Sequence, residues 1–294
     1  MGALNVLRII GLLLIGFLFL LGFGVFGISY YAANSAFTDN TAKMISADIV
    51  SVMPALLESQ SVGLEGLNLE VNDQLMITLK PMIEKNMSDI FSYIRGESDK
   101  IGLGITTQDV KALVKNVKLP EGSSQVEISQ IPDSMYSQMT DEMNKGFVQY
   151  EADLVQTLQP ARDVYSYAKQ AFYISLIVLI VLMLITLLIN FSFYRTLFWL
   201  ALYFLINAGV WILLTLGLYG VYSTAISQLF VGQGEVLSEF FSNLISWILF
   251  KFLIIYIILF AIGVVFLVAF IIWKIMRKKK DVTIKAETVE AKKK

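Results

Sequence analysis

Four long apolar runs interrupt this chain at uneven intervals: Leu4–Tyr31, Ala171–Phe193, Phe198–Tyr222 and Leu244–Trp273. Each meets the roughly 20 residues that a helix needs to cross a hydrocarbon core. The runs are continuous rather than alternating, which selects helices over the strands of a barrel. Between the first and second runs lies a polar segment, 32–168, long enough to be a domain of its own. The expected fold is therefore all-α: four transmembrane helices and a mostly helical extracytoplasmic domain inserted between the first and second spans. The expected boundaries are 1–31 for a signal anchor that stays attached, 32–168 for the extracytoplasmic domain, 169–276 for a three-span bundle with an outer loop at 223–243, and 277–294 for a basic cytoplasmic tail.

Within 32–168 the apolar positions step at helical intervals. Leu75, Met76, Leu79, Met82, Ile83, Ile90, Phe91 and Ile94 fall at i, i+3, i+4 and i+7, with Asn72 or Asp73 as N-cap and Gly96 as the stop. Pro81 lies inside that pattern and is expected to kink it. Val110, Leu113, Val114 and Val117 predict a shorter helix, capped by Thr106 or Thr107 and ended before Pro120. A further helix is expected from Pro132 to a break near Pro160, with a fresh helix running from there into the second span. Residues 35–58 also read as helical. Leu67–Val71, Ile101–Ile105 and Val126–Ile128 alternate briefly, as edge strands or extended connectors would, and Gly122-Ser123-Ser124 reads as a surface loop. Met135, Met139 and Met143 share a helical stripe; core filling is the expected role, and a soft surface for a lipid tail or partner helix the alternative.

Composition sharpens this picture. Apolar residues make up 56% of the chain and mean hydropathy is +0.67, an excess that lipid-facing surface explains. Histidine and cysteine are both absent. That excludes thiolate nucleophiles, imidazole bases, disulfides and cysteine-ligated metals, and no Walker A or GxSxG pattern is present. The expectation is a protein that is not an enzyme, with no cofactor, no metal site and no nucleic-acid partner. Gly22-Phe23-Gly24-Val25-Phe26-Gly27 spells GxGxxG but sits inside a membrane run without a preceding strand, so close helix packing is the expected use of its glycines.

Charge sets the expected orientation. Arg8, Arg195 and the cluster Lys274, Arg277, Lys278, Lys279 and Lys280 all fall on the side of the N-terminus, which the positive-inside rule makes cytoplasmic. The same cluster is a candidate contact for anionic lipid. Segment 32–168 carries 19 acidic and 10 basic residues, a net charge of −9, and belongs on the opposite face. The remaining tail, Asp281–Lys294, reads as disordered.

Few polar residues enter the spans. Lys251 lies about eight residues, roughly 12 Å, inside the fourth. Snorkelling or pairing, with Glu235 and Glu239 the nearest acids, competes with a transport role. Asn207 in the third span is expected to hydrogen-bond a neighbouring helix. Asn86-Met87-Ser88 is a formal glycosylation sequon, placed by its periodicity within a helix.

The order of parts (inner N-terminus, one span, large outer domain, three spans, inner basic tail) resembles the FtsX/MacB type of transmembrane permease subunit. Those subunits couple to a cytoplasmic ATPase through an inner turn longer than the Ser192–Thr196 connection here. The stretch Phe91-Ser92-Tyr93-Ile94-Arg95-Gly96-Glu97-Ser98-Asp99 is similar to a segment in prokaryotic four-span proteins of the same layout. Neither resemblance implies an activity or functional residues. Three functions remain as expectations: an outer domain that binds or organises a protein partner or a second copy, a channel or transporter component built by oligomerisation, and a carboxylate-dependent membrane enzyme.

Overall fold

The computed structural model describes residues 3–60, 73–116, 131–229 and 235–291. Among them are seven helices and no strand: α1 (Ala3–Asn34), α2 (Asp39–Gln60), α3 (Asp73–Ile94), α4 (Thr107–Asn116), α5 (Asp133–Asn190), α6 (Phe193–Leu229) and α7 (Glu235–Ala291). Four are long and apolar enough to cross a membrane, with spans falling within Val6–Asn34, Asp133–Asn190, Phe193–Tyr222 and Phe240–Lys278. The chain divides into two compact units, one of residues 1–31, 169–222 and 247–294, the other of residues 32–168 and 223–246.

The first unit is apolar on both its inside and its outside. Its centre holds Phe19, Phe23, Leu179, Leu182, Tyr203, Phe204, Ala208 and Tyr256. Rings interlock there: Phe19 stacks on Tyr203 at 5.1 Å, and Trp211 stacks on Tyr256 at 5.5 Å. Its outer surface is equally apolar, with Leu13, Phe17, Leu21 and Ile28 exposed along one face of α1. Water would penalise such a surface; hydrocarbon does not. Buried hydroxyls satisfy themselves locally, Thr186 and Thr215 each donating to the carbonyl one turn back. Glycines set the helix separations. A Cβ on Gly24 would lie 2.3 Å from the Trp211 ring, and one on Gly27 would lie 2.3 Å from the Tyr256 hydroxyl. The GxGxxG run is thus a set of close approaches between helices.

The second unit is built on helix ends that the sequence specifies. Thr38 caps α2 by accepting from the Thr41 N–H at 3.3 Å. At the start of α4, Thr106 and Asp109 form a reciprocal capping box: Asp109 N–H donates to Thr106 Oγ1 at 3.2 Å and Thr106 N–H to Asp109 Oδ2 at 2.7 Å. Gly96 ends α3 at φ +73°, where its N–H reaches the Tyr93 carbonyl and the Glu97 N–H that of Ser92. That pair of bonds is a Schellman motif, which needs a residue without a Cβ. Two clusters fill the interior, one around Phe91, Tyr93, Ile94, Ile101 and Tyr165, the other around Ile105, Val110 and Tyr136.

Several expectations change. Pro81 lies inside α3, where the helical pattern places it, but Pro160 lies inside a continuous α5, which does not break there. Val155, Leu158 and Ala161, on either side of that proline, pack against the cluster around Tyr93. Their burial offsets the hydrogen bond the proline ring removes. The Met135, Met139 and Met143 stripe does not fill the core: these side chains are 51%, 39% and 45% exposed. Tyr136 and Thr140, one residue along, take the buried face instead. Helix α7 continues through most of Asp281–Lys294, which was expected to be disordered; that segment contains no Gly or Pro to stop it and is rich in Lys, Glu and Ala. The 223–243 loop contracts as well, because α6 runs to Leu229 and α7 begins at Glu235. Ile101–Ile105 forms no strand, and Gly102 within it takes a left-handed φ of +68°. Asn72, Leu67–Val71, the Gly122–Ser124 loop, Val126–Ile128 and the stop at Pro120 lie outside the described residues.

Candidate functional site

In the third span, Asn207 is one of a set. Tyr203, Asn207 and Trp211 are spaced by four on α6, so they project from one face. Their donors reach three α1 carbonyls spaced likewise by four: Tyr203 Oη to Leu12 at 2.7 Å, Asn207 Nδ2 to Gly16 at 3.1 Å, and Trp211 Nε1 to Leu20 at 3.0 Å. Both series ascend together, so α1 and α6 run parallel. Asn207 therefore spends its amide on helix pairing. The signal was present in sequence, because the three donors recur at one helical interval; their acceptors, being backbone carbonyls, carry no side-chain signature.

Lys251 is half-buried, with its ammonium 5.3 Å from the Trp247 ring one turn earlier. The aromatic face takes over part of the solvation an ammonium loses in an apolar run. Among the described residues it pairs with no carboxylate, and the side chains of Glu235 and Glu239 lie outside them. At the other end of the bundle, Arg8 donates to Asn190 Oδ1 at 2.5 Å, and Asn190 donates in turn to the Thr186 carbonyl. Lys274, Arg277 and Lys278 are exposed on α7; the side chains of Lys279 and Lys280 lie outside the described residues.

In the second unit, Phe91–Asp99 forms the polar junction. Tyr93 donates to Gln159 Oε1 at 2.9 Å and lies under the Arg162 guanidinium, 4.9 Å from its ring. Arg162 reaches Asp99 at 3.1 Å. Arg95 pairs with Glu97 at 2.6 Å and with Asp39 at 3.6 Å, and it also donates to the Phe37 carbonyl. The Glu97 bond holds the guanidinium protonated still more firmly than usual. Each charge of this junction is committed to a neighbour, so it ties α2, α3 and α5 together and offers no free acid, base or nucleophile.

Asn86 sits within α3, with its side-chain oxygen buried and without a partner. Burial raises the carboxyl groups of Asp48 and Asp89 above their ordinary range, Lys85 partly countering the effect at Asp89. Among the described residues no three of His, Cys, Asp and Glu gather closely enough to hold a metal ion.

The feature with chemistry to offer is the exposed face of α5. Met135, Met139, Met143 and Tyr150 fall within one arc of the helix and face solvent. Glu142 and Asp153 lie along one edge of that arc and are likewise exposed. A row of polarizable thioethers beside carboxylates suits an apolar helix with basic flanks. Set against known proteins, the chain matches no family model, no curated protein and no solved structure.

Proposed function

We propose that this is a non-enzymatic integral membrane protein of the plasma membrane whose polar unit lies outside the cytoplasm and holds a partner. Both termini and the basic tail are cytoplasmic in this reading. Support for the orientation comes from the asymmetry of charge: Arg8, Arg195 and the Lys274–Lys280 cluster against an acidic 32–168 segment. The single observation that carries the partner-binding role is the exposed Met135–Met139–Met143 face of α5. A monomeric soluble surface rarely lines up large apolar side chains in this way without a use for them. The acidic edge favours as partner an amphipathic helix carrying Lys or Arg beside its apolar stripe.

The rival readings draw less support. Asn207 is bonded to α1 and Lys251 rests on Trp247, so both candidate transport residues are engaged with neighbouring helix groups. The acids Asp39, Glu97 and Asp99 are engaged in ion pairs with Arg95 and Arg162, which gives the enzyme reading little support.

A photo-crosslinking residue placed at Met139 in the full chain, in native membranes, tests the proposal. The expected result is one discrete adduct that is absent when the probe sits at Val148, an exposed position on another face of α5. Replacing Met135 and Met143 by Ser should abolish the Met139 adduct. Identical adducts at both positions, or none at either, would overturn the assignment.

A further inference from the structure

The turn between α5 and α6 gathers cations that are scattered in sequence. Tyr194 and Arg195 stand in the first turn of α6, and Phe270, Lys274 and Arg277 lie along α7. Tyr194 and Phe270 stack nearly parallel, 13° apart with 6.0 Å between centroids. Onto this two-ring platform come three positive groups. The Arg277 guanidinium is 5.6 Å from the Tyr194 ring, the Arg195 guanidinium is 5.9 Å from it, and the Lys274 ammonium is 5.9 Å from the Phe270 ring. Arg195 Nε also donates to the Tyr194 hydroxyl at 3.4 Å. Among the described residues none of the three cations pairs with a carboxylate, and no Asp or Glu occurs from Val164 to Gly234.

Like charges brought together on aromatic faces repel unless an anion joins them. Two guanidinium forks and an ammonium suit the oxygens of a phosphate, which guanidinium binds in bidentate fashion. The surroundings choose the kind of phosphate. Phe191 is 93% exposed in the turn itself, and Phe193 and Trp273, in contact at 5.6 Å, are exposed beside the cluster. A soluble phosphate compound has no use for that rim; a molecule with a phosphate head and an acyl body does. We infer that Arg195, Lys274 and Arg277, arrayed on the Tyr194–Phe270 platform, bind the phosphodiester of one anionic phospholipid at the membrane surface. The site is discrete and distinct from diffuse attraction by the tail lysines.

The test uses the full chain in phosphatidylcholine nanodiscs containing a minority of spin-labelled phosphatidylglycerol. Three forms are compared: the parent chain, Arg195→Gln with Arg277→Gln, and Lys278→Gln with Lys279→Gln and Lys280→Gln. The double variant should lower the selectivity for the labelled lipid roughly thirtyfold, as expected for two lost surface cations, while the tail variant retains most of it. Lys274→Gln is the second probe of the site should the double variant fail to fold, and it should lower selectivity by about fivefold. Equal losses in the tail and site variants would overturn the inference in favour of diffuse attraction. Displacement of the labelled lipid by millimolar inorganic phosphate at constant ionic strength would overturn it in favour of a soluble phosphate ligand.

Discussion

Asn144 does for residues 101–105 what a neighbouring strand does in a sheet. Its amide donates to the Ile105 carbonyl at 3.0 Å, and its oxygen accepts the Ile105 N–H at 2.9 Å. Two turns further along α5, Glu151 accepts from the N–H groups of Ile101 and Gly102 at 3.0 and 3.2 Å. The alternating pattern of Ile101–Ile105 thus marks an irregular segment whose backbone pairs with the side chains of a helix. Replacing Asn144 by Leu removes both bonds and leaves buried backbone groups of Ile105 without partners, at a cost of about 1–3 kcal/mol. Thermal unfolding of the full chain in detergent should show that loss, and hydrogen exchange should locate it at residues 101–105. Asn144→Asp keeps the acceptor alone and should lose less. Unchanged exchange at Ile105 in the Leu variant would show that the bond pair is not what holds the segment.

At the scale of elements, the parallel pairing of α1 with α6 organises the spans. Each side-chain donor in the Tyr203–Asn207–Trp211 ladder contributes about 0.6 kcal/mol, the average for such bonds inside membranes. Glycine contributes differently, by letting the backbones approach. Gly24 has Trp211 where its Cβ would be, and a larger residue there must expel the indole and break the bond to Leu20. Asn207→Leu should therefore lower the melting temperature in detergent slightly, and Gly24→Leu should do so far more, by overpacking worth about 1–3 kcal/mol or beyond. If both changes had equal effects, the ladder rather than the close approach would dominate the pairing.

Elements also show what could be read in advance. The helical steps from Leu75 to Ile94, the glycine stop at Gly96 and the capping residue Thr106 are local signals, and the helices begin or end where those signals lie. Pro160 is local too, but its effect depends on burial of Val155 and Leu158 against residues far along the chain. The methionine stripe was ambiguous for a simpler reason. Met135–Met139–Met143 and Tyr136–Thr140 are offset by a single residue, so periodicity fits both faces and only tertiary packing selects the buried one. In the spans, Asn207 stood out as a polar intruder, whereas its partner at Gly16 is a backbone carbonyl 191 residues away. Lys274 and Arg277 are legible as candidate lipid contacts in the basic run, whereas their meeting with Arg195 on the Tyr194–Phe270 rings depends on two helices far apart in sequence.

For the whole molecule, the account requires lipid around one unit and water around the other. The apolar outer surface of α1 and the polar, acidic composition of 32–168 ask for different solvents. In the proposed orientation the positive-inside rule puts the polar unit outside the cytoplasm. The chain contains no cysteine, so a single introduced thiol reports on one position without background. Val148 in the polar unit, away from the methionine face, and Phe191 in the α5–α6 turn are both exposed and suit such substitution. The most direct test is labelling of Val148→Cys and Phe191→Cys in intact cells with a membrane-impermeant maleimide. A polar unit outside the cytoplasm requires that the thiol at 148 reacts at once and that the thiol at 191 reacts only after the membrane is permeabilised. Immediate labelling at 191 with protection at 148 would refute that topology.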